Sequence, residues 1–285
     1  MKFLSHFYFC RFRLSFRLML SKEVENYRDR KWRREEELKI ETVAEAERFV
    51  ETVGFCGGLT DARTALPSLY IAVCGRREAF TPRNVQKDYE TSLAWTLKDD
   101  VLRRGKIFYA KLAKAKSMFV AARLVPAFNC LFGVSKAQEK EQLSANAQTI
   151  LGVLRRDWEQ ASADLRREAG IADRKVFNKA LDELQAKMKV VPCEVLYEPK
   201  FTYIWTLAEA RFPAELKQKI ERETAVKEIA GAFLNAAGET SSKEFSKLIG
   251  ITPLEANLGF LLLVQDGIAR QVEKGVFRLK EIDRR

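Results

Sequence analysis

The sequence contains almost no histidine, since His6 is the only one among 285 residues. Nucleophiles activated by histidine, the two-histidine zinc helix and the histidine-containing zinc finger all require an imidazole at their centre. Any chemistry at neutral pH would therefore depend on carboxylates, lysine, tyrosine or the backbone.

Cysteine is also sparse, and its spacing is not that of a disulfide or zinc framework. The five cysteines stand at positions 10, 56, 74, 130 and 193, with no Cys-x-x-Cys pair. An odd, widely spaced set is typical of a reducing compartment, so we expect a cytoplasmic protein. The sequence predicts no metal site and no cofactor.

Long apolar runs are missing as well. The run Phe3–Cys10 is far shorter than a membrane helix requires and is followed by Arg11, so no membrane contact is predicted. We assign residues 1–40 to an N-terminal extension. Its first part, Met1–Leu20, has two interpretations: an arginine-rich targeting or surface-binding peptide, or a wrongly assigned start with translation beginning near Met19. We favour the second, because nothing downstream requires the segment.

The composition is that of a globular chain with an excess of positive charge. Hydrophobic residues make up 47% and charged residues 31%, and 50 basic against 39 acidic side chains leave a net charge of +11. Residues 1–39 hold 11 basic and 6 acidic side chains, so +5 lies in the extension and +6 in the body. A polyanion such as double-stranded DNA is the favoured partner.

An internal repeat is the most specific signal in the chain. Ser162-Ala-Asp-Leu-Arg-Arg-Glu-Ala-Gly-Ile171 is echoed 80 residues later by Ser242-Lys-Glu-Phe-Ser-Lys-Leu-Ile-Gly-Ile251. Each copy is predicted to be a short helix that begins at a serine and ends at a glycine. The predicted flanking elements are helices at 147–158, 173–188, 224–237 and 252–266, and strands at 190–196, 201–205, 268–272 and 276–279.

A helix, a helix-turn-helix and a β hairpin follow one another in each copy, which is the order of a winged helix. The sequence therefore predicts a mainly α protein with small β wings and tandem winged helix-turn-helix modules. We divide the body into a helical N-terminal domain at 41–140, a first module at 141–212 and a second module at 213–285.

The second helix of a helix-turn-helix can lie in the major groove of DNA. In the first module its apolar stripe is predicted to contain Phe177, Ala180, Leu181, Leu184 and Met188. The polar residues assigned to DNA are Lys175, Asn178 and Lys179 beside Asp182, with Lys189 at the far end and Lys200 in the wing. An ordinary solvated helix face is the alternative interpretation.

The corresponding helix of the second module is apolar around most of its circumference, with Leu254, Leu258, Leu261, Leu262 and Val264. We predict a packing element or a protein contact there. For DNA, we assign the wing residues Arg270, Lys274 and Arg278 instead.

Basic and aromatic residues alternate between Trp95 and Phe119 in the N-terminal domain. Lys111 and Lys114 are predicted DNA contacts, as in grooves where rings stack on bases, and the alternative is an amphipathic helix with solvated lysines. Phe108 and Phe119 are predicted to be core residues. A continuous basic groove joining Lys111 to the lysines of both modules would favour DNA binding over protein binding.

Lys98, Asp99 and Tyr109 form the one candidate catalytic group. A buried lysine with a lowered pKa can form a Schiff base. The alternative, which we favour, is a helix-start pair with the acid near the positive end of the helix dipole and the lysine in solvent. Gly57-Gly58 is too short for a phosphate-binding loop and predicts a turn.

The chain resembles the AlkZ-type tandem winged-helix proteins, which include bacterial DNA glycosylases for alkylated bases and interstrand crosslinks, and it is most similar to a short AlkZ-related branch. The resemblance covers about Glu41 to Lys280. The residues that carry it are Val53-Gly-Phe-Cys56, Pro67-Ser-Leu with Gly75-Arg76, Trp95-x-x-Lys98-Asp99, Tyr109-x-Lys111 and Phe177-x-x-Ala180-Leu-x-x-Leu184-Gln185.

The family's glycosylases carry a Gln-x-Gln or Gln-x-Asp motif that orients the attacking water, and the matching stretch Val53–Leu59 has neither. Phe55, Cys56 and Gly57 cannot replace a carboxamide and a carboxylate. We therefore expect a DNA-binding protein, for intact or damaged duplexes, without the family's base-excision chemistry. The alternatives are a glycosylase or lyase that uses the Lys98 group, and a module that binds protein through the second winged helix.

Overall fold

Both copies of the repeat adopt the same arrangement in the computed structural model, which describes residues 20–113 and 116–284. Each copy has a helix, a strand, two helices and two strands, and its three strands pair in the order first, third, second. The helices and the hairpin follow the order that the repeat predicts, whereas the short first strand of each copy was not predicted. The predictions on His6, on the run Phe3–Cys10 and on Lys114 fall outside the described residues.

The N-terminal part contains six α-helices and three strands within the described ranges. The helices are α1 (Lys22–Lys31), α2 (Val43–Val53), α3 (Leu69–Cys74), α4 (Tyr89–Arg104), α5 (Val125–Phe132) and α6 (Glu139–Gln142). The strands are β1 (Phe55–Gly57), β2 (Ile107–Lys111) and β3 (Ser117–Ala121).

The two modules follow, joined by two short helices. The first contains α7 (Ala145–Asp157), β4 (Glu159–Ala161), α8 (Ser162–Glu168), α9 (Arg174–Ala186), β5 (Val190–Leu196) and β6 (Thr202–Leu207). The connecting helices are α10 (Ala208–Arg211) and α11 (Pro213–Lys217). The second contains α12 (Arg222–Ala237), β7 (Glu239–Ser241), α13 (Ser242–Ile249), α14 (Pro253–Gln265), β8 (Ala269–Glu273) and β9 (Val276–Leu279).

Local capping signals explain several of the helix boundaries. Thr252 and Glu255 form a capping box at the start of the helix predicted at 252–266, with Pro253 in the first turn of α14. Gly250 ends α13 in the left-handed conformation with a φ of 88°, as predicted. Helix α8 begins at Ser162 as predicted, but the serine side chain does not cap it: the hydroxyl donates to the carbonyl of Tyr203 at 3.2 Å and accepts from the indole of Trp205 at 2.8 Å.

The N-terminal sheet, in the order β1-β3-β2, is buried on both faces. Side chains alternate along its strands, so Phe55 and Phe108 lie in a core shared with the second module, while Cys56, Tyr109 and Phe119 lie in the core of the N-terminal domain. The core positions predicted for Phe108 and Phe119 are confirmed. The alternative of one amphipathic helix after Trp95 is wrong, because α4 ends at Arg104 and a hairpin follows.

Residues 20–40, assigned by sequence to an extension, are packed into the body. From α1 and the residue after it, Tyr27, Arg28 and Trp32 donate to the carbonyls of Asn235, Ala237 and Ala236 at 2.7–2.8 Å. These carbonyls belong to the last turn of α12, which has no intrahelical donors for them. Residues 20–40 are therefore part of the folded body, and the two interpretations of the stretch before Met19 concern residues outside the described ranges.

None of the helices in the described part of the chain is long and apolar enough to cross a membrane.

Candidate nucleic-acid interface

The N-terminal half of α9 presents a row of solvated polar side chains. Its apolar stripe is buried against α7 as predicted, with Phe177, Leu181 and Leu184 at 4% exposure or less. The opposite face exposes Lys175, Asn178 and Lys179, together with Arg174, which was not singled out from the sequence. Asp173 begins the helix by accepting the backbone N–H groups of Lys175 and Val176 at 2.6 and 3.3 Å.

Two of the predicted DNA contacts near the C-terminal half of α9, Lys111 and Lys189, are paired with neighbouring carboxylates. Lys111 of β2 forms an ion pair with Asp182 at 2.8 Å. Lys111 is therefore not the free cation that the sequence predicted. Lys189 forms an ion pair with Glu139 at 2.6 Å, and only 14% of its side chain is exposed. In the described residues, no ion pair involves Arg174, Lys175 or Lys179, so these three cations leave the N-terminal half of α9 positively charged.

The wing of the first module packs against α4. The Phe201 ring makes edge-to-face contacts with Tyr197 and Tyr203 of this wing and with Trp95 of α4, with ring centroids 5.3–6.2 Å apart. Lys200, at the tip of the wing, is exposed as expected. The wing is thus joined to the N-terminal domain.

Lys98 and Asp99 lie underneath this wing and are each 1% exposed. The Lys98 ammonium is hydrogen-bonded to Asp99 and, at 2.9 Å, to the hydroxyl of Tyr203, and it lies 4.5 Å from the centre of the Trp95 ring. The hydroxyl of Tyr197 donates to the other oxygen of Asp99. The favoured expectation of a solvated helix-start pair is therefore wrong: the pair is buried in the middle of α4.

The tyrosines around this pair are held in their neutral form. Burial raises the pKa of Tyr109 to about 12, and the charge of Lys98 opposes the shift. Burial and the negative charge of Asp99 raise the pKa of Tyr203 to about 12, and burial and the hydrogen bond to Asp99 do the same for Tyr197. At neutral pH these phenols are protonated and are poor bases, with Tyr197 donating to Asp99 and Tyr203 accepting from Lys98.

The stretch that corresponds to the catalytic motif of the resembled glycosylases is apolar. The Phe55 ring packs against Phe128 and Phe233, with centroids 5.5 and 6.2 Å apart. Cys56 is fully buried, and this burial raises the pKa of its thiol, so the thiol stays protonated. Gly57 pairs with Met118 at the end of β1, where the sequence predicted a turn. No proton acceptor comes from these three side chains.

The second module presents a different surface. Of the three contacts predicted in its wing, Arg270 is paired with Asp283, and Arg278 is paired with Glu239, whose side chain is 5% exposed. Lys274, at the tip of the wing, is exposed and has no ion-pair partner among the described residues. The face of α14 that points away from α12 exposes three leucines, Leu254 at 81%, Leu258 at 40% and Leu261 at 37%.

In the described ranges, no group of three or more His, Cys, Asp or Glu side chains is arranged to hold a metal ion.

Comparisons with known proteins give a family and a fold. No curated protein sequence matches the chain. The solved structure of the Streptomyces sahachiroi DNA glycosylase AlkZ superposes with a TM-score of 0.57 at 14% identity, covering 92% of this chain and 70% of that one. The DIP2311 protein from Corynebacterium diphtheriae matches at 13% identity over 78% of this chain and 42% of that one, with a TM-score of 0.20 that carries no argument.

The AlkZ likeness, at this identity, is a likeness of fold. The sequence profile of the family described as AlkZ related matches residues 40–250, which is most of the chain. The protein therefore belongs to the AlkZ-related family.

Proposed function

We propose that this protein binds double-stranded DNA by placing the N-terminal half of α9 in the major groove, and that it does not carry out base excision. The observation that carries the proposal is a set of exposed polar side chains, Arg174, Lys175, Asn178 and Lys179. The three cations of this set have no ion-pair partner among the described residues. In helix-turn-helix proteins the N-terminal residues of this helix contact base edges. Asn178 is suited to adenine, and the cations to phosphates.

Replacing Lys175 and Lys179 together with alanine is expected to weaken duplex binding at every sequence. Each lysine that meets a phosphate releases counterions, so the double variant should lower the slope of log K against log salt by about 2. Fluorescence anisotropy with a labelled duplex, between about 50 and about 200 mM salt, measures both quantities.

The matched control is Lys22→Ala, which removes an exposed lysine at the start of α1. It should leave both affinity and slope unchanged. If wild-type protein fails to bind intact, single-stranded or lesion-bearing DNA at low salt, the proposal is wrong.

The alternative is an active glycosylase or lyase that uses Lys98, Asp99 and Tyr109. Burial of the Lys98 ammonium favours the structural role, because a Schiff base would require it to leave both Asp99 and Tyr203 and to meet a substrate beneath the wing. We expect wild-type protein to release no base and cut no strand when incubated with alkylated or crosslinked DNA. Base release or strand scission above the protein-free rate would support the enzyme instead.

A second function, protein binding, is favoured by the three exposed leucines of α14. Helix α14 contains no lysine or arginine, so it offers DNA no cation. Its one charged residue, Glu255, is held by the capping box and by Arg222. The partner that purified protein can test is a second copy. We expect Leu254→Glu to abolish concentration-dependent dimerisation in sedimentation velocity, whereas Leu196→Glu, a change at an exposed leucine on the first wing, should not. A wild-type protein that is monomeric at every concentration would remove self-association as the role of this face.

A further inference from the structure

A groove of about 500 Å³ lies on the first module beside its connections to both neighbouring units. One wall comes from the segment after α5, another from α7 and the end of α9, and the third from α10, α11 and the residues that follow. We call it the linker groove. None of its lining residues belongs to the exposed face of α9, so it is separate from the proposed DNA interface.

The charge of the linker groove is strongly positive. Its cations are Lys136, Arg155, Lys189, Lys217 and Lys219, and the carboxylates beside them are those of Glu209 and Glu139. Five cations facing two anions leave an excess of three positive charges. A groove with this balance attracts anions and discriminates against cationic ligands.

Two of the cations are held in place by one buried carboxylate. Glu139, 8% exposed, accepts from Arg155 at 2.8 Å and forms an ion pair with Lys189 at 2.6 Å. This triad keeps a net positive charge at a defined position in the wall. Lys217 and Lys219 are exposed at the rim and, in the described part of the chain, have no ion-pair partner.

The floor of the groove is apolar. Leu151, Met188, Leu207 and Leu216 contribute to it. Ligand sites of this kind combine an apolar surface with a few fixed polar groups, and volumes of about 300–1,000 Å³ are usual for them. A ligand that fits both parts has an anionic group for the lysines and a flat, weakly polar body for the floor.

We propose that the linker groove binds a nucleotide, with its phosphate between Lys217, Lys219 and the Arg155–Lys189 pair and its base over the apolar floor. The nucleotide is either free or the phosphorylated 5′ end of a DNA strand, because both offer the same group. This site goes beyond the major-groove contact proposed above and does not depend on it.

Isothermal titration calorimetry of the full chain tests the site with deoxyadenosine monophosphate, inorganic pyrophosphate and deoxyadenosine. The two phosphate compounds should bind and the nucleoside should not. The double variant Lys217→Ala and Lys219→Ala, at exposed positions that the fold does not need, should weaken phosphate binding about tenfold or more. The double variant at Lys175 and Lys179 serves as the matched control and should leave it unchanged.

Two further ligands distinguish the sources. A short single strand carrying a 5′-phosphate should bind more tightly than the same strand without it if strand ends are recognised, and the mononucleotide should bind as well as the phosphorylated strand if free nucleotide is the ligand. The proposal is overturned if neither phosphate compound binds, or if both double variants weaken binding equally. The double variant at Lys175 and Lys179 is expected to lose duplex binding and to keep phosphate binding. Failure of the major-groove proposal is therefore distinguishable from failure of the linker-groove proposal.

Discussion

Replacing Lys98 with alanine is expected to lower the free energy of unfolding by about 3–5 kcal/mol, the cost of breaking a buried ion pair by removing one partner. Asp99, 1% exposed, would be left with one hydrogen bond from Tyr197 and no cation beside it. Tyr203 would lose its hydrogen bond to the ammonium, and Trp95 its cation. Because Tyr197 and Tyr203 belong to the wing, the variant should also loosen the wing from α4.

Urea denaturation followed by circular dichroism measures the first effect, and amide hydrogen exchange in 190–207 measures the second. Lys87→Ala, which removes an exposed lysine just before α4, is the matched control and should stay within about 0.5 kcal/mol of wild type. The double variant Lys98→Met and Asp99→Leu should be more stable than Lys98→Ala, since it leaves no unpaired charge. A loss below about 1 kcal/mol in Lys98→Ala would contradict the buried-pair interpretation.

Replacing Arg28 with alanine is expected to destabilise the protein by about 2–4 kcal/mol. The Arg28 guanidinium, 9% exposed, donates to the carbonyls of Ala237 and Glu239, both at 2.7 Å. Its positive charge also lies at the C-terminal, negative end of the α12 dipole. Without the Arg28 guanidinium, the carbonyls of Ala237, at the end of α12, and Glu239, at the start of β7, lose a donor at a position that α1 shields from water.

The control lies on the same helix. Arg30 is exposed, so Arg30→Ala removes the same charge and side-chain type without uncovering a buried carbonyl. Thermal unfolding should separate the two variants clearly, with Arg30→Ala within about 0.5 kcal/mol of wild type. Equal melting temperatures would mean that α1 contributes nothing to the end of α12.

Much of the fold could be predicted from the sequence because its signals are local. The repeat, the Thr252–Glu255 capping box and the apolar stripe of α9 each depend on residues within a few turns of one another. The wing hairpins were also predicted to within two residues. The other strands, β1 to β4 and β7, were missed. Those of three residues, β1, β4 and β7, carry no periodicity, and each pairs with a distant strand.

The candidate sites were less predictable, because a side chain's availability depends on residues far away in the chain. Lys111, Lys189 and Arg278 look like DNA contacts in sequence, yet each is paired with a carboxylate at least 39 residues away. Lys98 appears solvated until the wing, about 105 residues further on, covers it. No local sequence pattern indicates which distant residue will pair with a cation or cover it.

The sequence by itself therefore determined the order of helices and strands in the two modules, the excess of positive charge and the absence of a carboxamide or carboxylate at Phe55, Cys56 and Gly57, because element order and chemical identity are properties of the chain. Only the tertiary structure decided which cations are free. Burial and ion pairing act through space, and they leave the N-terminal half of α9 and the linker groove positive while neutralising Lys111, Lys189 and Arg278.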